Sequence, residues 1–104
     1  MKDKVSSSLG KYRIHLLAEL LRYGIEWNRD LDPTAPGIAN YKVGGLETAA
    51  FSFACCVVQW FGADSCPVSD VMEGLQLDKL TKTKTLPTVK MLEKRITKFI
   101  LSYE

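Results

Sequence analysis

Apolar residues recur at helical spacing in two separate stretches, and this constrains the fold more than any other feature of the sequence. Steps of three, four and seven residues are typical of a helix that buries one side. The first stretch runs from Leu9 to about Trp27 and contains Leu9, Tyr12, Leu16, Leu17, Leu20, Leu21 and Trp27. The second runs from about Thr88 to Ser102, and its apolar face comprises Val89, Leu92, Ile96, Phe99, Ile100 and Tyr103. Ser6, Ser7 or Ser8 can cap the first helix, and Pro87 suits the start of the last one.

The segment Leu46–Phe61 is apolar nearly all round, which predicts a central and most buried helix. Gly62 stands where a glycine would end it. A buried strand is the alternative, since many of these residues favour strands, but the length and the flanking glycines favour a helix. One narrow stripe of this helix carries small or polar residues, which indicates a groove for another helix or, less simply, a ligand-lining stripe: Thr48, Ser52, Cys55, Cys56 and Gln59.

Residues 28–45 interrupt the helical pattern with Asp32-Pro33, Ala35-Pro36-Gly37 and Gly44-Gly45. Such clusters are turn signals, so we expect one long loop here. A short helix is predicted from Asp70 to about Leu77, capped by Ser69, and a loop or short strand follows it.

The sequence therefore predicts a single all-α domain over residues 1–104, a compact orthogonal bundle of four helices with a long loop at 28–45. The alternative is an α+β fold with short strands near 38–43 and 79–86.

Charge is segregated along the chain although its net value is only +2. Residues 1–29 carry six basic and three acidic groups, residues 30–78 carry one basic and seven acidic groups, and residues 79–104 carry seven basic and two acidic groups. This distribution indicates one basic and one acidic surface.

The basic C-terminal part suggests contacts with phosphates. Lysines recur every four residues in the last helix, and further lysines alternate with threonines before it. Lysine and hydroxyl groups both bind phosphate oxygens. The candidate nucleic-acid-binding residues are Lys79, Lys82, Lys84, Lys90, Lys94, Arg95 and Lys98. A solvated face of an ordinary amphipathic helix is the competing interpretation.

The segment from Val68 to Leu77, followed by a longer basic helix, resembles in outline a helix-turn-helix unit. The resemblance implies DNA binding through the second helix. The connection of roughly ten residues departs from the usual turn of about 3–4 residues.

Little in the residue inventory indicates catalysis or a cofactor. The three cysteines form no disulfide framework; Cys55 and Cys56 are expected in the core, and Cys66 in a turn. His15 lies within a helical pattern and has no partner ligands at metal-site spacing. We therefore expect no enzyme, no metal and no cofactor. The polar N-terminus lacks a signal-peptide pattern and no segment is long and apolar enough to cross a membrane, so a cytoplasmic location without membrane contact is expected.

Two functional hypotheses follow from these patterns. The first is a small non-enzymatic nucleic-acid-binding or regulatory protein that contacts DNA or RNA phosphates through its basic C-terminal loop and helix. The second is a protein-interaction module (an adaptor, an inhibitor or a homo-oligomeric subunit) that uses the segregated acidic and basic surfaces. An exposed apolar patch would favour the second hypothesis.

Overall fold

The protein, seen in a computed structural model, is all-α. The structure describes the backbone of residues 2–30 and 38–103, and the side chains of residues 3–29 and 45–103. Within these ranges there are six helices and no strand. They are α1 (Lys2–Ser6), α2 (Ser8–Asp30), α3 (Ile38–Phe61), α4 (Val68–Gly74), α5 (Leu77–Leu80) and α6 (Val89–Leu101).

Side-chain hydroxyls mark the starts of two long helices. Ser7 Oγ accepts a hydrogen bond from the Gly10 backbone N–H at 2.9 Å and donates to the Lys4 carbonyl at 3.1 Å, so one residue ends α1 and caps α2. Thr88 Oγ1 accepts from the Met91 N–H at 3.2 Å and caps α6. These bonds satisfy N–H groups that a helix leaves without internal partners.

The core lies between α2, α3 and α6, and α4 and α5 close one side of it. Phe53 of α3 meets Phe99 of α6 edge to face, with ring centroids 5.8 Å apart. The largest fully buried side chains include Phe53, Phe61, Leu17, Leu21, Ile25, Leu75, Leu77, Leu92, Ile96 and Ile100. Burying a Leu, Ile or Phe side chain contributes about 1.5–3 kcal/mol, so this cluster supplies the main stabilisation.

Helix α2 pairs antiparallel with both of its long neighbours. Against α3, Gly24 packs on Ala49 and Gly45 packs on the Trp27 ring, and Arg13 reaches Trp60. Against α6, His15 meets Glu93 and Arg22 meets Pro87. The α2–α3 contacts extend over about 20 Å of helix, and the orthogonal arrangement expected from the sequence is not confirmed by them.

The predicted loop at 28–45 is wrong at both ends. Helix α2 continues to Asp30 and α3 begins at Ile38; residues 31–37, which hold both proline turn signals, lie outside the described residues. The misleading signal was Gly44-Gly45. Gly45 lies inside α3, and a glycine is needed there because a Cβ atom would overlap the Trp27 ring.

The alternative strands are also wrong. Residues 38–43 are helical, residues 79 and 80 belong to α5, and residues 81–85 form turns and bends. The predicted helix 70–77 is two short helices, since Gln76 adopts a left-handed conformation (φ 52°, ψ 45°) that separates α4 from α5. Helix α4 begins at Val68 after an extended Pro67, without the predicted Ser69 cap.

Candidate interaction surfaces

Three of the predicted lysines form one exposed row on α6. Lys90, Lys94 and Lys98 all lie on the side of the helix that faces away from the core. We call these three residues the lysine ridge. Glu93 lies next to them, but its Oε1 is 2.8 Å from His15 Nδ1 of α2. The Glu93 carboxylate beside the lysine ridge is therefore already hydrogen-bonded to His15.

Arg95 lies on a different side of α6 from Lys90. It is half-buried and lines a cleft between α4 and α6 together with Lys98, Asp70 and Glu73. Tyr103 closes this cleft, and its hydroxyl donates to Asp70 Oδ2 at 3.0 Å. Lys98 of the lysine ridge lines the same cleft, so Arg95 lies beside one end of the ridge but on another side of the helix from Lys90.

The remaining predicted lysines, Lys79, Lys82 and Lys84, are exposed around α5 and the segment that follows it. Two arginines of α2 hold this segment by its backbone. Arg22 Nε donates to the Pro87 carbonyl at 3.2 Å, and Arg29 Nη2 donates to the Lys84 carbonyl at 2.8 Å. The segment is thereby fixed against the C-terminal half of α2.

The threonines between these lysines are used inside the chain. Thr81 Oγ1 donates to the Asp78 carbonyl at 2.7 Å, and Thr83 Oγ1 lies 2.9 Å and 2.8 Å from the carbonyls of Leu80 and Thr85. The protons of these two hydroxyls form hydrogen bonds to backbone carbonyls within the segment itself. The expected contribution of these two hydroxyls to phosphate binding therefore has no support in the geometry.

Helix α2 has a second apolar face that the core covers only in part. Its core-facing residues are Ile14, Leu17, Ala18, Leu21 and Ile25, all buried. With 3.6 residues per turn, a second set of apolar residues occupies an arc of about 80° beside these core-facing residues. This outer stripe comprises Leu9, Tyr12, Leu16, Leu20, Tyr23 and Trp27. Tyr23 is 69% exposed, Tyr12 59% and Leu9 55%, so much of the stripe faces solvent.

The small-residue stripe of α3 lies beside the outer stripe, at the surface. We call Thr48, Ser52, Cys55, Cys56 and Gln59 the α3 strip; three of the five are exposed and the other two half-buried. Phe51, 59% exposed, and Val58 lie beyond it on the side of α4. Thr48 and Ser52 of this strip line a groove beside α2, and no described helix of this chain occupies it. That the whole strip receives another helix stays a prediction.

The groove between the two helices has defined ends. Leu20, Gly24 and Ala49 lie along it, with Tyr23 and Trp27 on the α2 side and Thr48 and Ser52 on the α3 side. At the opposite end, the Arg13 guanidinium lies 5.4 Å from the Trp60 ring centroid, and Arg13 Nη1 donates to the Trp60 carbonyl at 3.3 Å.

This arrangement corrects two expectations about α3. The helix is not buried all round, because Phe51 and Val58 are exposed, and Cys55 is exposed rather than in the core. Cys56 and Cys66 are half-buried, and burial raises the pKa of both thiols. Burial also raises the pKa of Tyr103, and its hydrogen bonds to Cys66 and Asp70 act in the same direction.

His15 is held between two carboxylates. Besides Glu93 at Nδ1, Glu19 Oε1 lies 3.2 Å from Nε2. The hydrogen bond with Glu93 is the largest cause of a raised His15 pKa, and Glu19 adds to it. Both ring nitrogens can donate only in the protonated form, which this pair of carboxylates stabilises. Among the described residues, no group of three or more His, Cys, Asp or Glu is placed to hold a metal ion.

Sequence reasoning missed the exposure of Tyr23 and Phe51, although a signal for the first was present. Ile14, Ile25 and Tyr23 also follow helical spacing, so α2 holds more apolar residues than one face can accommodate. A count of apolar residues by face would have shown this excess. For Phe51 the only signal was the small-residue stripe beside it.

Comparison with known proteins adds no family. No family model, no curated protein and no solved structure matches the chain. Within the described part of the chain, no helix has both the length and the hydropathy that crossing a membrane requires.

Proposed function

We propose that this chain is a non-enzymatic protein-interaction module whose docking surface is the outer stripe of α2 together with the α3 strip and Phe51 at its far edge. The observation that carries the proposal is the exposure of Tyr12, Tyr23 and Phe51, each more than half accessible to solvent. An aromatic side chain buries roughly 150–250 Å², so these three and Leu9 leave on the order of 400 Å² of apolar surface exposed. Contiguous patches of several hundred Å² are typical of protein-binding sites.

The shape of the surface favours an amphipathic helix as the occupant. Small side chains on α3 permit close approach of a helix, whose axis would lie about 8–10 Å away. Large apolar side chains stand on both sides: Tyr23 and Trp27 on α2, and Phe51 on α3. A helix that presents apolar residues at i, i+3, i+4 and i+7 fits such a groove.

Site-specific photo-cross-linking tests this proposal even while the partner is unidentified. p-Benzoylphenylalanine would replace Tyr23 in one variant and Phe51 in another, in the cells that make the protein. The matched control places the same group at Lys79, which is exposed on α5 away from the groove. We expect discrete cross-linked species from positions 23 and 51 and none from position 79. If position 23 gives no cross-link, the proposed function is wrong.

A second candidate function, phosphate binding by the lysine ridge, is favoured by the contact between the Glu93 carboxylate and His15. With His15 holding that carboxylate, the outward side of α6 presents Lys90, Lys94 and Lys98. Contacts of these lysines with DNA or RNA phosphates would be electrostatic and largely independent of sequence. The role of Lys79, Lys82, Lys84 and Arg95 in such binding stays a prediction.

Fluorescence anisotropy with duplex DNA, single-stranded DNA and RNA tests the second candidate at about 50 and about 200 mM salt. The variant Lys90→Glu/Lys94→Glu/Lys98→Glu should lose binding and remain helical by circular dichroism. Lys79→Glu/Lys82→Glu/Lys84→Glu changes the net charge equally and separates the ridge from the preceding segment. If the ridge variant binds duplex DNA as tightly as wild type at both salt concentrations, the ridge does not bind phosphates.

A further inference from the structure

We infer that the helix occupying the groove is α2 of a second copy of this chain, running antiparallel to the first about a two-fold axis at the level of Ala18. The inference rests on the proposed docking surface and names its partner. It is carried by the spacing of the outer stripe and by the apolar area that it exposes.

The spacing of the outer-stripe residues along α2 is almost the same from either end of the helix. An antiparallel copy centred at residue 18 places Leu16 opposite Leu20, Tyr12 opposite Tyr23, and Leu9 opposite Trp27. The two members of each pair lie at equal distances from residue 18 to within one residue, or about 1.5 Å along the axis. An interface between identical copies requires this self-complementarity, whereas docking of an unrelated helix does not.

The available area suits a stable dimer of this kind. The stripe from Leu9 to Trp27 extends along about 27 Å of helix. Stable interfaces bury about 800 Å² on each partner, of which a little over half is apolar. The exposed apolar surface of on the order of 400 Å² supplies that apolar share. Each α2 would also contact the α3 strip of the other copy, so both grooves are occupied at once.

Sedimentation-velocity measurements on the full chain, over about 1–200 μM, test the inference. We expect a monomer–dimer equilibrium for wild type and a monomer for Tyr23→Glu. Tyr12→Lys alone should also weaken the dimer. The double variant Tyr12→Lys/Tyr23→Glu should recover part of the affinity, because the antiparallel register sets position 12 of one copy against position 23 of the other and so pairs opposite charges. Lys79→Glu is the matched control and should leave the Kd unchanged.

The possible failures are distinguishable. If wild type stays monomeric to 200 μM while position 23 cross-links to a different protein, the second copy is the wrong partner and the docking surface stands. If wild type forms a dimer but Tyr12→Lys/Tyr23→Glu associates no more tightly than Tyr23→Glu alone, the antiparallel register is wrong. If Tyr23→Glu dimerises like wild type while its helical content is unchanged, the stripe is not the interface.

Discussion

Gly45 of α3 packs against the indole ring of Trp27 of α2, so close that no side chain fits between them. Together with Gly24, whose Cα faces the Ala49 methyl group, it lets α2 and α3 approach closely. This approach forms the base of the groove that we propose as the docking surface.

Replacing Gly45 with alanine should destabilise the fold by about 1–3 kcal/mol, because the new methyl group displaces the indole ring. The higher helix propensity of alanine returns at most about 1 kcal/mol. Urea denaturation followed by circular dichroism measures the change. Trp27→Leu makes space for the methyl group, so Gly45→Ala should cost much less in that background; equal costs in both backgrounds would contradict the packing described.

Two leucines of α2 should lose very different amounts of stability on truncation. Leu17 is 1% exposed, so Leu17→Ala should lower the free energy of unfolding by about 2–5 kcal/mol. Leu9→Ala removes the same atoms from a side chain that is 55% exposed. It should change the stability of the monomer by less than about 0.5 kcal/mol. Chemical denaturation at low protein concentration compares the two, and similar losses would mean that the outer stripe is buried in the monomer.

His15 should make the stability depend on pH. Its pKa is raised above the ordinary 6.5, chiefly by the hydrogen bond with Glu93, so the folded state binds the proton more tightly than the unfolded state. The stabilisation is complete below about pH 6.5 and is lost as pH rises through the folded-state pKa. His15→Gln should therefore lower Tm at pH 5.5 more than at pH 8.5. A difference in Tm that is the same at both pH values would refute the linkage.

The cap of α6 offers a local test. Thr88→Ala removes the acceptor for the Met91 N–H and should cost about 1 kcal/mol. Thr88→Ser keeps the hydroxyl and should cost only a few tenths of that. Thermal unfolding of the two variants under one buffer condition separates loss of the cap from loss of the methyl group. If the serine variant loses as much as the alanine variant, the hydroxyl does not carry the effect.

The three thiols should react at different rates with a disulfide reagent such as dithionitrobenzoate. Cys55 is exposed on the α3 strip, whereas Cys56 and Cys66 are half-buried and burial raises their pKa. Only the thiolate attacks the reagent, so we expect one fast and two slow thiols at pH 8. Cys55→Ser should remove the fast phase. If the fast phase persists in Cys55→Ser, the assigned exposure of the cysteines is incorrect.

The all-α fold could be predicted from spacing alone, because Leu17 and Leu21 in α2, and Leu92 and Ile96 in α6, recur as a buried helical face must. Spacing could not decide which of two adjacent apolar faces of α2 turns inward. Leu16 and Leu17 differ by one residue, and only the positions of α3 and α6 determine that Leu17 is buried and Leu16 half-exposed.

The extent of α3 could not be read locally for a similar reason. In the local sequence, Gly44-Gly45 resembles a helix breaker. The reason for a glycine at 45 is the ring of Trp27, which lies 18 residues earlier in the chain. The lysine ridge was visible in the sequence as a row, but the cleft that Arg95 lines with Asp70 and Glu73 depends on where α4 packs.

Arg22 and Arg29 donate hydrogen bonds to the backbone carbonyl oxygens of Pro87 and Lys84. Every amino acid has this carbonyl group, so the two hydrogen bonds do not depend on which side chains stand at 84 and 87. At Lys82 and Lys84 the side chains point outward while the path of the chain is set by these two arginines. Substitutions at these two lysines can therefore accumulate without moving the segment. Acidic or neutral residues at these two positions would change the charge of this surface while the backbone keeps its path.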